Sequence, residues 1–310
     1  MFDHLILHHY ELSPYAEKIR LMLGLAQLPW GSVVSPEQPP RPNVDPLSGG
    51  YRRIPVAQRG ADIFCDTFII AQEVAALADR PELDPEHAAA DANQVIDLAE
   101  GDVFFAAISS VPPLTLLGTM LRSFGPLGML RFAYDRVGMM QGATVKPPQG
   151  AAARKVMKGF LETLEARLAT QPFLAGSEPT LADFAAYHPL WLHLNTSRSE
   201  LDSRFTGVAD WYARVAAFGH GRREELTPAQ AFSAAAGADP RPLPESESEP
   251  DPRLGHAVSI APSDYGTVPV TGTLVATTPS RYVLRRDTET YGRLHVHFPR
   301  QHYVVADAAG

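Results

Sequence analysis

The chain has 310 residues, 45% hydrophobic and 20% charged, which is room for about two domains and a small third one of ordinary globular composition. Its formal net charge is −8, with no basic block of five or six residues, so nucleic acid and an anionic membrane surface are poor candidates for the main partner. A single cysteine, Cys65, excludes an intrachain disulfide and fits a reducing, cytoplasmic setting.

The start, Met1-Phe2-Asp3-His4, lacks the basic and then long apolar pattern of a signal peptide. Leu5 to Tyr10 reads as a buried strand, with His8 and His9 pointing one inward and one outward. Ser13-Pro14 then gives a helix start, an N-cap residue followed by proline at the first helical position, and Tyr15, Ile19, Met22 and Ala26 recur at helical spacing. Trp30 to Ser35 reads as a second strand, and the proline-rich stretch 36–46 as a loop. Ile54 to Gln58 and Ile63 to Cys65 read as short strands, and Asp66-Thr67 opens a helix with Ile70, Val74 and Leu77 inward. The order predicts a compact α/β unit of the thioredoxin type over residues 1–82.

From 85 to 232 the pattern turns helical, giving a second, all-α domain. Val103 to Leu121 is uncharged and long, but Ser109, Ser110, Pro112 and Pro113 interrupt it, so it reads as a broken pair of buried helices and not a membrane span. Met157, Phe160, Leu161, Leu164 and Leu168 form an apolar stripe. Thr180 and Asp183 stand three apart, as a capping box requires, ahead of a helix apolar almost all round and therefore central. Residues 233–255, with five prolines and the acidic run Glu245 to Glu249, read as a linker. Residues 256–310 alternate like strands and predict a small β-rich extension, with Leu294, Val296 and Phe298 on one face and Arg293, His295 and His297 on a solvated other face. The linker reading implies that a chain truncated after Phe232 keeps a folded body.

Three places concentrate chemistry. At Ser13 a helix begins with free amides and a dipole that favour an anion, a thiolate included, and Ser13 adds a hydroxyl; the plain alternative is an ordinary N-cap. In Arg53-Ile54-Pro55-Val56, a proline in a strand-like run needs an edge, a bulge or a cis bond. A cis bond leaves the Ile54 main chain open to an extended peptide; the plain alternative is an edge-strand proline. Asp66-Thr67 is a second helix start suited to a carboxylate, or simply a capped helix.

In this order and spacing the three resemble the N-terminal domain of the soluble glutathione transferases over residues 4–80, and Pro179-Thr180-Leu181-Ala182-Asp183 resembles that family's buried capping box. The resemblance implies glutathione as co-substrate: Ser13 at its sulfur, Ile54 and Pro55 at its cysteinyl backbone, Asp66 and Thr67 at its γ-glutamyl end, and Arg41 as a candidate for the glycyl end. It also implies a homodimer, no metal and no nucleotide. A phenol-type alternative fits less well, since the position falls near His9 with Tyr10 one place late. Ser13-Pro14-Tyr15-Ala16 places no cysteine at 13 or 16, so thiol–disulfide exchange by that motif is not expected. The loop 36–46 and the β-rich tail depart from the family pattern.

The pocket for a second, electrophilic substrate is expected between the domains, with Tyr10, Leu12, Tyr15, Phe104, Phe105, Met120 and Phe124 as candidate walls, most of them equally readable as core. Met139-Met140 is a candidate flexible lining. His295, His297 and His302 form an incomplete metal set, and Cys65 reads as a buried strand residue. The function expected is conjugation of the glutathione thiolate to an apolar electrophile. The alternatives are a non-catalytic scaffold of the same fold, or a glutathione-dependent lyase or isomerase.

Overall fold

The computed structural model describes residues 4–243 and 251–308. The first apolar run forms β1 (Leu5–His9) and leads through a turn into α1 (Pro14–Leu25). Ser13 caps α1, its Oγ accepting the Ala16 amide at 3.2 Å, and Pro14 sits where a missing N–H breaks no helical bond. β2 (Pro29–Val34) pairs parallel with β1, β3 (Val56–Arg59) pairs antiparallel with it, and β4 (Asp62–Cys65) pairs antiparallel with β3. A short α2 (Asp45–Ser48) ends the proline-rich loop, and α3 (Thr67–Ala78) follows β4. This is the expected thioredoxin-like domain. Both histidines of β1 are buried, correcting the in-and-out reading. Arg20 donates to His9 Nδ1 at 3.0 Å, so the imidazole is neutral and its Nε2 bonds to Ser32 Oγ at 3.0 Å; burial and the Arg20 charge hold its pKa down at about 3.

The helical domain comprises α4 (Ala90–Leu98), α5 (Phe104–Ser109), α6 (Pro113–Met139), α7 (Gly150–Leu168), α8 (Leu181–Ser197) and α9 (Thr206–Ala216). Helix α8 is central. Its capping box is present, and all ten residues from Leu181 to Leu190 are buried. The break between α5 and α6 falls at the expected serines and prolines, where the chain bends by 93°. No single helix among the described residues is long and apolar enough to cross a membrane. Helix α6 departs from expectation. It has no buried residue and lies on the surface, bent at Gly125 (φ +65°), where Pro126 removes a helical N–H.

After α9 the chain returns to the sheet. β5 (Arg222–Glu225) pairs parallel with β2, and α10 (Pro228–Ala236) carries the chain across to the tail. The strand was hidden in sequence because Arg-Arg-Glu-Glu has no apolar alternation; it is an edge strand. The first residues of the expected linker are therefore helical, while 244–250, with the acidic run, lie outside the described residues. Strands β6 (Ala257–Pro262), β7 (Val270–Thr277), β8 (Arg281–Thr288), β9 (Gly292–Pro299) and β10 (Tyr303–Asp307) form the β-rich extension. It continues the first domain's sheet, in the order β10-β6-β7-β8-β9-β4-β3-β1-β2-β5. The junction is a parallel pairing of β9 with β4, Asp62 opposite His295 and Phe64 opposite His297, which covers an edge that would otherwise template wrong pairings.

The alternation in β9 is as read, and Arg293 is exposed as expected, but the two histidines of that face are not solvated. Leu294, Val296 and Phe298 share a core with Val44, Leu47, Tyr51, Ile63 and Cys65. On the other face His295 and His297 are also buried, because the register sets them beside Asp62 and Phe64. His297 Nε2 donates to Asp62 Oδ1 at 2.8 Å, and its ring lies 4.9 Å from that of Phe64. Arg281 reaches Glu73 and Gln72 of α3 at 3.0 and 2.8 Å. Among the described residues no group of three or more His, Cys, Asp or Glu side chains is placed to hold a metal ion.

Candidate functional site

Register brings the three chemical segments together. His8 of β1 stands opposite Val56 of β3, and Val56 opposite Cys65 of β4. The residues just beyond these pairs are the turn before Ser13, the Ile54–Pro55 bond and Asp66, so all three lie at one end of the sheet. The Ile54–Pro55 bond is cis. Among the described residues no hydrogen bond reaches the Ile54 main-chain amide or carbonyl, just ahead of β3. Asp66 caps α3, its Oδ1 accepting the Phe68 amide at 3.0 Å, and it holds φ at +79°, a conformation costly for a residue with a Cβ. Thr67, the first residue of the helix, is buried.

The tail reaches this corner. Tyr303 donates its phenol hydrogen to Asp66 Oδ2 at 2.9 Å, and its own oxygen lies 2.5 Å from the Tyr51 hydroxyl. Arg53, beside Ile54, is ion-paired with Asp264, donates to the Tyr265 carbonyl at 2.7 Å, and stacks over the Tyr265 ring at 4.2 Å. The segment bearing Asp264 and Tyr265 is fixed from below by Thr144 N to Asp264 O and Gly266 N to Met139 O, each 2.8 Å. Ser13 is only 1% exposed, whereas the Asp66 side chain keeps 21% of its surface open.

Aromatic rings continue from there into the helical domain. Tyr15 packs on Phe104 at 4.6 Å and on His188 at 4.7 Å, and Phe105 meets Tyr265 edge-on at 5.5 Å. Burial pushes the Tyr15 phenol well up and the His188 imidazole well down, so both are neutral. Leu12 is exposed and Tyr10 half-buried. The structure thus gathers Tyr15, Phe104 and Phe105 into one aromatic cluster. Phe124 instead stacks on Phe132 at 4.7 Å and lines a separate groove of about 240 Å³ with Glu37 and Gln38. Met139 backs the tail segment through its carbonyl. Arg41 is buried, its guanidinium donating to the carbonyls of Pro36, Glu37 and Arg52 at 2.8–3.0 Å, which makes it a tie for the loop.

Sequence reading missed Tyr51, Arg53, Asp264, Tyr265 and Tyr303 as members of this corner. Arg53 stood inside the quoted motif without a role. The others carried no local signal, because nothing in the spacing ties residue 265 or 303 to residue 66.

Residues 7–82 match the family model of the glutathione S-transferase N-terminal domain, and residues 133–214 that of the C-terminal domain. No curated protein matches the chain. Among solved structures, a GST-like protein from Pseudomonas syringae is 31% identical, with a TM-score of 0.77, over 99% of this chain and 100% of its own, the tail therefore included. Glutathione S-transferase 1-6 from Anopheles dirus species B is 14% identical over 70% of this chain and 91% of its own, with a TM-score of 0.50. A glutathione S-transferase from Methylobacillus flagellatus with GSH bound is 18% identical over 68% and 94%, with a TM-score of 0.47. The paired domains and the match along the full length establish that this chain belongs to the glutathione S-transferase family.

Proposed function

We propose that the protein binds glutathione at Ser13, Ile54, Pro55, Asp66 and Thr67 and conjugates the bound thiolate to an apolar electrophile. The observation that carries this reading is the unpaired Ile54 main chain standing between two helix starts at one end of the sheet. It fits an extended peptide whose anionic groups meet the free amides of α1 and α3. Ser13 Oγ already accepts from Ala16, so its own hydrogen is left to donate to a sulfur anion. Asp66 takes an ammonium, and Thr67 offers a carboxylate its hydroxyl and amide. Tyr15, Phe104, Phe105 and Tyr265 supply an apolar wall for the second substrate.

The wild-type chain is expected to be retained on immobilised glutathione and to turn over a general aryl-halide acceptor. Ser13→Ala is expected to keep the retention and to lose about 100-fold in kcat, the scale of one removed donor to a developing or stabilised anion. Turnover unchanged by the substitution removes Ser13 from the mechanism. One observation favours a second reading, a non-catalytic binder: Ser13 is almost fully covered, so a thiol does not reach its hydroxyl without local rearrangement. Retention without turnover selects that reading.

The chain is further proposed to form a homodimer through α6. Of the fourteen large apolar side chains exposed among the described residues, seven lie on this helix: Leu114, Leu117, Leu121, Leu127, Leu130, Tyr134 and Val137. Leu114 and Tyr134 are 84% and 83% exposed, and the spacing of three and four residues aligns the row on the outer face of each half. The row amounts to on the order of 700 Å², near the roughly 800 Å² that each partner of a standard interface covers. The net charge of −8 opposes docking on an anionic bilayer. Light scattering is expected to give twice the 33.7 kDa chain mass. The double variant Leu127→Lys, Tyr134→Lys is expected to halve that value, and a dimer that survives it places the interface elsewhere.

A further inference from the structure

We infer that the tail supplies the glutathione site with a positioning residue, Tyr303, which holds the Asp66 carboxylate in the orientation that receives the ligand's γ-glutamyl ammonium. The inference rests on the reading of the site given above and extends it to a residue outside both matched domains.

The donors around Asp66 are fully assigned. Tyr303 gives its hydrogen to Oδ2, so the bond between the two phenols must run from Tyr51 to Tyr303. Oδ1 is held by the Phe68 amide. Both tyrosines are buried, with their rings against Phe298 at 5.8 and 6.0 Å, so the hydroxyls stand at fixed points. An ionised carboxylate has about four lone-pair positions. Two are used, and the exposed fifth of the side chain is where a further donor enters.

The nearest competing cation is held to a loose ion pair without a hydrogen bond. Arg53 Nη1 stands 3.7 Å from Asp66 Oδ2, beyond hydrogen-bond range, while its Nη2 is held by Asp264 and by the Tyr265 carbonyl. Without Asp264 the guanidinium is free to swing onto Asp66 and take the ammonium's place. Tail residues thus fix the carboxylate and restrain its rival, which is the arrangement a pre-organised ligand group requires. A purely structural tie between tail and body has no need of an acceptor left partly open.

The test uses the full-length protein and two thiols, glutathione and cysteinylglycine, which is glutathione without its γ-glutamyl group. Dissociation constants are measured by calorimetric titration or competition for wild type, Tyr303→Phe and Tyr51→Phe. Tyr303→Phe keeps the ring and its packing. It is expected to weaken glutathione about tenfold, the scale of one hydrogen bond to a charged group, and to leave cysteinylglycine unchanged. Tyr51→Phe is expected to act in the same direction by a smaller factor. Equal loss for both thiols, or none for either, overturns the positioning role and leaves glutathione binding standing. A wild-type chain that binds no glutathione overturns the underlying reading, and this one with it.

Discussion

A chain ended at Ala238 is expected to accumulate as aggregate and not as a folded two-domain protein. This reverses the sequence-based expectation that the body is self-sufficient. Cutting there uncovers the edge of β4 and takes the partner face from Val44, Leu47, Tyr51, Ile54, Val56, Ile63 and Cys65, whose core is half made of β6–β10 side chains. At roughly 1.5–3 kcal/mol per apolar side chain uncovered, the loss is on the order of 10 kcal/mol. That is comparable with the whole stability of a typical domain. The cut also strips His297 from Asp62 and Arg281 from Glu73, leaving two carboxylates without their partners. The check is direct, because Cys65 is the protein's own probe. Burial pushes its thiol pKa well up, so in the full chain it resists alkylation. Soluble, monodisperse truncated protein with an equally protected Cys65 would refute the expectation.

The second large effect concerns Asp183. Its carboxylate is fully buried and accepts from Leu174 N at 2.9 Å, Thr180 N at 2.8 Å and Trp211 Nε1 at 2.8 Å. Burial pushes the carboxyl pKa up, against the hydrogen-bond donors that hold it down. One side chain therefore ties the start of α8, the loop before it and α9. Asp183→Ala orphans three buried donors, each costing about 1–3 kcal/mol, so a loss of about 4 kcal/mol is expected. Asp183→Asn keeps one oxygen as acceptor and turns a donor toward the Thr180 amide, so an intermediate loss is expected. Denaturant midpoints at constant slope measure both. A shift below about 1 kcal/mol for the alanine variant would show that the loop and helix start hold without it.

Both helix starts that form the candidate site were legible because their signals are local. Ser13-Pro14 and Asp66-Thr67 each carry a cap and a helix start within a few residues, and proline in Arg53-Ile54-Pro55-Val56 marks an interrupted strand. The capping box at Thr180 and Asp183 was legible for the same reason. What sequence hid was long-range. The alternation of β9 shows two faces but not what covers them, so His295 and His297 read as solvated until the pairing with β4 is seen. Tyr265 and Tyr303 look like residues of a turn and a strand start; only the fold brings them to Arg53 and Asp66. Helix α6 failed in the opposite sense. Its apolar content reads as burial, yet it has no buried residue and carries seven exposed large apolar side chains.

The seam between β4 and β9 has a consequence for biosynthesis. Asp62 leaves the ribosome about 230 residues before its partner His295. At roughly 5–20 residues per second the interval is on the order of 10–50 s. Throughout it the nascent N-terminal sheet carries an open flank and an uncovered apolar surface, the situation in which chaperones engage emerging chains. Stalled nascent chains of graded length are therefore expected to keep Cys65 reactive until β9 has cleared the exit tunnel, and then to lose that reactivity in a single step. Protection already present when only the helical domain has emerged would show that the early sheet closes by some other means.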